Sequence, residues 1–435
     1  MNFFLRNKEV KNASWLIGGR IVQMLLSLII GILTTRYLGP ADYGLISYGT
    51  AMVSFFSSLC TLGLNSVIIK EFVDHPQEQG EALGSALLLR LLSSVTTALM
   101  IWGIVSVIDR DAPMTITVVV ICSIGSVFHV FELFNYWFQN QYKSKVTALV
   151  TLSAYVVVSG YRIVLLIMQA DVRWFAAAVS LDYIVVAICM LCAYRRHGGP
   201  SLRCSLRKTK SLLGMSYHYI LSSMMVSIYG QTDKLMLKQM LNETEVGYYA
   251  VATQLCAMWT FVLQAIIDSI YPTILRLHSI DKDAFNKKNR QLYAIVFYVS
   301  CFVSVGFVLL GSWVISFLYG ENYSSAGLPL KIITWYTAFS YLGVARNAWI
   351  VSEGKQRYLK YMYCSAAVIN VALNCLFIPV MGAAGAAVAS LITQVFTSIV
   401  LPSFFKEIRP NAKLMLEAIL LKDIFELGRK DEFVS

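Results

Sequence analysis

Charge is what this 435-residue sequence has least of. Asp, Glu, Lys and Arg make up 14% of it, against about a quarter in an ordinary soluble domain. Hydrophobic residues make up 57%, and the mean hydropathy is +0.62. So few charges cannot cover a water-facing surface. Catalytic signatures are missing as well. There is no G-x-x-x-x-G-K-[ST] loop to cradle a nucleotide, so the chain is not its own ATPase. There is no H-E-x-x-H or G-x-S-x-G, and the five histidines do not fall at metal-ligand spacing, so neither a metal nor another cofactor is expected. The nine cysteines are odd in number and irregularly spaced, and Cys60, Cys122, Cys256, Cys301 and Cys375 lie inside apolar runs. Cys189 and Cys192 have C-x-x-C spacing but sit in an apolar helix without a βαβ context, so they read as packing residues. Short alternating segments of the outer-membrane barrel type are absent. No small-residue cleavage site follows Arg6, Lys8 and Lys11, so the apolar run from Ser14 is expected to be an uncleaved first span.

Long apolar runs are what the chain has in abundance. They recur at the length of about 20 residues that a helix needs to cross the hydrocarbon core. The expected spans are 14–36, 43–69, 82–108, 114–138, 146–168 and 173–194, then 212–237, 246–275, 291–318, 328–352, 358–380 and 383–405. The reading is an all-α integral membrane protein of twelve transmembrane helices. Trp15, Trp137, Trp174, Trp313 and Trp349 fall near span ends, as an interfacial belt requires. Twelve crossings divide the loops into two sets. One set, with both termini, holds 26 of the 36 Lys and Arg; the other holds Arg36, Arg110, Arg173 and Lys238. The positive-inside rule places the first set, and so both termini, in the cytoplasm. The net charge of +11 is therefore an orientation signal and not a nucleic-acid footprint. The outer loops are too short to hold a catalytic domain.

Domains follow from this layout: a six-helix N-terminal half at 1–194, a basic cytoplasmic linker at 195–211, a six-helix C-terminal half at 212–405, and a cytoplasmic tail at 406–435. The linker carries Arg195, Arg196, Arg203, Arg207, Lys208 and Lys210, and its expected role is orientation and contact with anionic headgroups. The tail sets Leu416, Leu420, Ile424 and Leu427 on one helical face, the pattern of a helix on the membrane surface or in solvent. The halves echo each other. RYLGPADYGLISY (36–48) parallels QMLNETEVGYYAV (239–251), with Gly39 and Gly44 matching Asn242 and Gly247 at an offset of 203. WFAAAVS (174–180) parallels AGAAVAS (384–390) at an offset of 210. Repeats of this kind build transporters whose substrate site lies between the halves.

Ten ionisable residues fall within spans: Arg20, Arg90, Arg162, Lys234, Lys331 and Arg346 against Glu132, Asp182, Asp233 and Asp268, a net of +2. Each charge at the bilayer centre costs roughly 2.5–3.5 kcal/mol on insertion scales. Lys234, Lys331 and Asp233 lie near outer ends, where they can snorkel. Arg20, Arg90 and Arg346 lie roughly 6–10 Å to the cytoplasmic side of their helix midpoints at 1.5 Å per residue. Glu132 and Asp268 are at similar depth, Asp182 is near the midplane, and Arg162 is on the outer side. One reading is a set of arginine–carboxylate pairs locking helices together. The other is a cationic cavity for an anion, for which the planar guanidinium fork suits phosphate. His129 and His218, also within spans, read as packing or hydrogen-bonded residues.

Three segments carry a family resemblance. LTTRYLGPADYGLISYGT (33–50) resembles the first interhelical motif of oligosaccharide flippases of the Wzx type, in the MOP exporter superfamily. QTDKLMLKQMLNETEVGYYAVA (231–252), followed by YPTI (271–274), resembles the start of their second half. INVALNCLFIPVMGAAGAAVAS (369–390) places Asn370, Asn374, Pro379, Gly382 and Gly385 in the family's order. The likeness covers almost the whole chain. It implies two pseudo-twofold-related six-helix bundles in a bacterial cytoplasmic (inner) membrane. It also implies alternating access that carries an undecaprenyl-diphosphate-linked oligosaccharide outward on a cation gradient, for O-antigen, lipopolysaccharide, capsule or exopolysaccharide biosynthesis. In that fold Arg20, Glu132, Asp233, Asp268 and Arg346 fall on cavity-lining helices, while Arg90, Arg162 and Asp182 fall on others. The expected substrate-binding residues are Arg20, Arg90 and Arg346 for the diphosphate, with Arg162 and Lys234. The expected ion-coupling residues are Asp268, Asp182, Glu132 and Asp233. Expected partners are membrane lipids, a glycan polymerase and a chain-length regulator. The two extra helices typical of peptidoglycan-precursor flippases are lacking. The competing reading is a multidrug antiporter of the same superfamily, which the net basic charge of the spans disfavours. A membrane enzyme and a scaffold are weaker alternatives.

Overall fold

The computed structural model describes residues 2–421, with side chains from residue 23 onward except those of 25, 66, 218, 221 and 222. All regular structure among the described residues is helical. The first group comprises α1 (Asn2–Phe55), α2 (Ser57–Thr61), α3 (Leu64–Asp74), α4 (Gln79–Ile108), α5 (Pro113–Phe128), α6 (Leu133–Asn140), α7 (Ser144–Ile167) and α8 (Val172–Arg196). Then follow α9 (Leu206–Met240), α10 (Glu243–Ile280), α11 (Lys282–Tyr319), α12 (Gly327–Ser352), α13 (Arg357–Met381), α14 (Ala383–Val395), α15 (Leu401–Phe404) and α16 (Arg409–Ile419). Among the described residues, eight segments are long and apolar enough to cross a membrane: α4, α5 with α6, α7, α8, α10, α11, α13, and α14 with α15. The other four expected spans also fall on helices, namely α1, the run from α1 to α3, α9 and α12.

The helix ends follow from local chemistry. Gly39 stands at φ 74°, ψ 173° inside α1, and Pro40 follows it, so α1 is two helices joined at a sharp turn. At the matching position of the repeat, Asn242 caps α10, its side chain accepting a hydrogen bond from the Glu245 amide at 3.1 Å. Gly39 and Asn242 thus do the same job 203 residues apart. The next segment is interrupted again, at Leu62 (φ 51°) and Gly63 (φ 60°) between α2 and α3. Backbone groups freed at membrane depth need partners. Here Ser93 donates to the Leu59 carbonyl at 2.6 Å and the Leu62 amide to Ser58 at 3.0 Å.

The chain divides into two compact units, residues 1–235 and 236–435, with the division inside α9. Three helix pairings of the first unit have counterparts in the second. In the first, α4 packs on α5, α5 on α8 and α7 on α8; in the second, α11 packs on α12, α12 on α14 and α13 on α14. The small-residue motifs sit at these contacts. Ser180 on α8 accepts from the Gly125 amide of α5 at 3.1 Å and donates to the Ile121 carbonyl. Its repeat partner Ser390 accepts from Asn370 of α13 at 3.3 Å. The first unit buries Leu64, Ile68, Phe72, Phe134, Phe138 and Tyr194 in one cluster. The second buries Phe285, Leu292, Tyr293, Trp349 and Met415.

Met415 belongs to the tail, whose helix docks through a face other than the leucine stripe expected to meet the membrane or solvent. Helix α16 turns Ala412, Leu414, Met415 and Ala418 into the core of the second unit and leaves Leu416 and Leu420 exposed. The buried face is one helical step away from the leucine stripe, because packing on α11 selects the small residues of α16 together with Leu414 and Met415. Ile424 and Leu427 lie outside the described residues.

Close packing of α5 on α8 makes Gly125 a sensitive position. A Cβ there would collide with the Cα and Oγ of Ser180, whereas one at Gly103 on α4 meets nothing within 4 Å. Gly125→Ala is expected to lower stability by about 1–3 kcal/mol. Gly103→Ala should be neutral or stabilising by up to ~1 kcal/mol. Thermal unfolding of the two purified variants in detergent, followed by tryptophan fluorescence, checks the contrast; equal midpoints would refute the packing account.

Candidate functional site

In the first unit the deepest charge is Arg90. It rises from the middle of α4 and is 1% exposed. Opposite it, the segment between α5 and α6 leaves the α-helical path for a single 3-10 turn, His129–Glu132. That turn aims Glu132 at the guanidinium, with Oε2 3.7 Å from Arg90 Nη2, and the same oxygen lies 3.4 Å from His129 Nε2. Glu132 is 32% exposed, so the group is dry on the arginine side and open on the carboxylate side. The contact is ionic but too long for a hydrogen bond, and neither Nη of Arg90 has a hydrogen-bond partner. Tyr136 lies within electrostatic range, and the Tyr183 ring meets His129 edge-on at 5.2 Å between centroids. Of the sequence-identified residues, this brings together Arg90, expected to hold substrate, and Glu132, expected to couple an ion.

The other candidates in this unit form looser pairs. Arg162 on α7 interacts electrostatically with Asp182 on α8 and with Tyr43 on α1. Asp233 is buried in α9 beside its neighbour Lys234, whose charge it opposes. The side chain of Arg20 lies outside the described residues, as does that of His218.

The second unit holds a different arrangement. Arg346 on α12 is 6% exposed, and among the described residues no carboxylate lies within ion-pair range of it. Its Nη1 donates to the Thr397 carbonyl at 3.2 Å, and its Nε has no partner. Thr397 sits in a single π-helical turn, Phe396–Val400, between α14 and α15. A π turn shifts carbonyls out of the regular ladder and is frequent at functional sites. Tyr293 and Tyr363 lie within electrostatic range of the guanidinium. Tyr293 donates to Asn289 at 3.4 Å and accepts from Asn411 of α16 at 2.6 Å. Asp268 is not part of this group: it is exposed on α10 and accepts from Gln264, one turn earlier, at 2.8 Å.

Sequence reasoning read His129 as a packing or hydrogen-bonded residue and did not join it to Glu132, although the spacing H-x-x-E places the two on one helical face. It also missed the Asn289–Tyr293–Asn411 chain and the Thr397 carbonyl. The first joins residues 118 and 122 positions apart, and the second depends on a π turn; neither has a sequence signature.

The helices and their pairing correspond to the MOP transporter fold. An inward-facing multidrug resistance MATE family transporter of the MOP superfamily superposes with TM-score 0.71 at 16% identity, over 91% of this chain and 96% of that one. The lipid II flippase MurJ in an inward closed conformation superposes with TM-score 0.70 at 14% identity, over 96% and 92%. The chain belongs to the polysaccharide biosynthesis protein family, whose model matches residues 10–278. It is similar to a probable flippase, AglR, of Haloferax volcanii, at 28% identity over 39% of this chain and 37% of that relative, so the match spans little more than a third of its length. It is also similar to the capsular polysaccharide biosynthesis protein CapF of Staphylococcus aureus, at 18% identity over 92% of this chain and the full length of the relative. The resemblance carried by the three sequence motifs is thereby supported, and the chain is a multi-pass membrane protein.

Outside the apolar spans, charges pair closely. In the first unit Lys208 of the basic linker region reaches Glu71 and Glu78, each at 2.5 Å, beside an open pocket of about 590 Å³ that also meets Lys70, His75 and Arg207. The hydrogen bond and charge of Lys208 hold the Glu78 carboxyl below its usual range. Burial works against the Lys208 ammonium, but the two carboxylates outweigh it and raise its pKa. Lys208 is thus committed to protein carboxylates and not to the headgroups expected for this loop. In the second unit Glu407 takes Lys355 and Arg357, each at 2.5 Å. The Lys355 hydrogen bond, with those of Tyr358 and Arg357, pulls its pKa to about 2. A carboxylate with a depressed folded pKa contributes stability above its unfolded pKa and loses it as pH falls through the folded value. Glu407→Gln should therefore destabilise by an amount that is constant from pH 8 to about 5 and shrinks below about 4.5. Paired denaturation curves at several pH values check this; a difference that grows on acidification would contradict it.

Proposed function

We propose that this chain is a flippase that moves an undecaprenyl-diphosphate-linked oligosaccharide across the bacterial cytoplasmic membrane, for O-antigen, capsule or exopolysaccharide assembly. It acts by alternating access with twelve spans in two six-helix bundles and both termini in the cytoplasm. The observation that carries the reading is Arg346: a buried guanidinium with no carboxylate in ion-pair range and an unpartnered Nε. A buried charge left to carbonyl acceptors alone is poorly compensated, and an anionic phosphate supplies what is missing through the bidentate geometry that arginine favours. Family membership and the flippase and capsule proteins among the relatives support the same substrate class. Arg20 and Arg162 provide further cationic contacts, and Lys234 lies near the outer end of its span. Asp182, Asp233 and Asp268 serve ion coupling or charge balance. A glycan polymerase and a chain-length regulator are the partners that would consume the product.

The multidrug antiporter reading shares the fold. Its largely cationic substrates need acidic spans, whereas these spans carry a net +2. Transport without catalysis accords with the family, and the short outer loops leave no place for a glycan-joining domain.

The test is complementation of a strain that lacks its own copy. A charged hydrogen bond is worth about 1.5–3 kcal/mol, so Arg346→Ala should cut surface polysaccharide by roughly tenfold or more while the protein still inserts, as read by immunoblot of membranes. Arg346→Lys, which keeps the charge but loses the fork, should fall between. Full display by both Arg346→Ala and Arg20→Ala would overturn the diphosphate assignment.

A further inference from the structure

We propose that the His129–Glu132 pair is a proton-binding site, and that the proton it takes loosens Arg90 from the carboxylate. The inference rests on the cation-coupled flippase reading and names the ion, the residues that bind it and the element that responds. Three independent observations meet here. Arg90 is sealed from solvent yet has both Nη atoms without a hydrogen bond, and its carboxylate stands off at 3.7 Å. A purely structural pair would close to a bidentate contact at about 2.7–2.9 Å. A titratable histidine shares the same carboxylate oxygen at 3.4 Å. The two titratable groups open and close a 3-10 turn in the middle of a long apolar segment, an element that often marks a hinge.

The charge balance then follows. Arg90 remains charged at any physiological pH. With Glu132 ionised and His129 neutral, the group is balanced. One added proton gives it a net charge of +1, and because the two groups are in contact the proton belongs to the pair and not to either residue. If it resides on Glu132, Arg90 loses its counter-charge. If it resides on His129, one carboxylate is shared between two cations. Either way the hold on Arg90 weakens, and the guanidinium gains reason to seek another anion. The proton reaches the pair from its open side, because His129 and Glu132 are 35% and 32% exposed while Arg90 is sealed behind them.

Other titratable groups facing the pair do not replace it. Tyr136 on α6 and Tyr183 on α8 flank it, and Cys60 on α2 lies near Arg90. Phenols and thiols ordinarily release protons above the pH 5–8 range. Asp182, next to Tyr183, answers to Arg162 on α7.

The experiment is a proton-binding difference titration of the purified full-length protein in lipid nanodiscs between pH 5 and 8, without substrate. Wild type should bind one proton more than Glu132→Gln over this range. His129→Gln, which leaves the Arg90–Glu132 pair in place and so should fold, should shift or remove the same step. Arg90→Gln should shift it upward in pH. Loss of the step in both pair variants, with native-like thermal unfolding, sustains the proposal. An unchanged step in His129→Gln and Glu132→Gln overturns it. Because no substrate is present, a protein that shows the step yet fails to display polysaccharide would count against the flippase reading and leave the proton site standing.

Discussion

A charge inside a lipid slab must be balanced by something close, because there is no water to share the work. This constraint organises the interior. In the first unit it is met by pairing, Arg90 with Glu132 and Arg162 with Asp182. In the second, among the described residues, Arg346 has no carboxylate in ion-pair range and donates to a backbone carbonyl. The paired arginine is held by a partner that can itself be neutralised. The unpaired one is short of negative charge at all times. Two buried arginines of the same kind are thus proposed to answer to two different ligands, a proton for the pair and an anion for Arg346.

The backbone departs from the regular helix where this polar chemistry is concentrated. A 3-10 turn presents His129 and Glu132, and a π turn presents the Thr397 carbonyl to Arg346. The break at Leu62–Gly63 is stitched by Ser93 and Ser58. Each irregularity frees a carbonyl or re-aims a side chain that a straight helix would hold elsewhere. The surrounding helices pack on small residues, as Gly125 on Ser180 shows, so the irregular turns sit in a stiff frame.

Much of this was legible in the sequence, for identifiable reasons. Helix positions follow from apolar run length, and Gly39 and Asn242 mark matching turns because both residue types tolerate the required backbone. Three helix pairings recur between the units in the order that the offsets of 203 and 210 suggest. Ten charges within apolar runs stood out because lipid makes them expensive, and two of them, Arg90 and Glu132, face each other in the structure. What could not be read was partnership. Arg90 and Glu132 are 42 residues apart, and nothing local says that one stands opposite the other while Arg346 stands alone. The docking of α16 through Leu414 and Met415 was hidden for a similar reason: its sequence carries two apolar faces, and only tertiary packing selects one.

The most direct test of the account is a flipping assay with purified protein in vesicles that carry a fluorescent undecaprenyl-diphosphate oligosaccharide in both leaflets. A membrane-impermeant reagent that destroys the fluorophore is added outside. The account predicts that vesicles containing the protein lose the protected inner-leaflet signal, that protein-free vesicles keep it, and that the loss is faster under an imposed proton gradient. An inner-leaflet signal that stays equally protected with folded protein present, under any gradient, would contradict it.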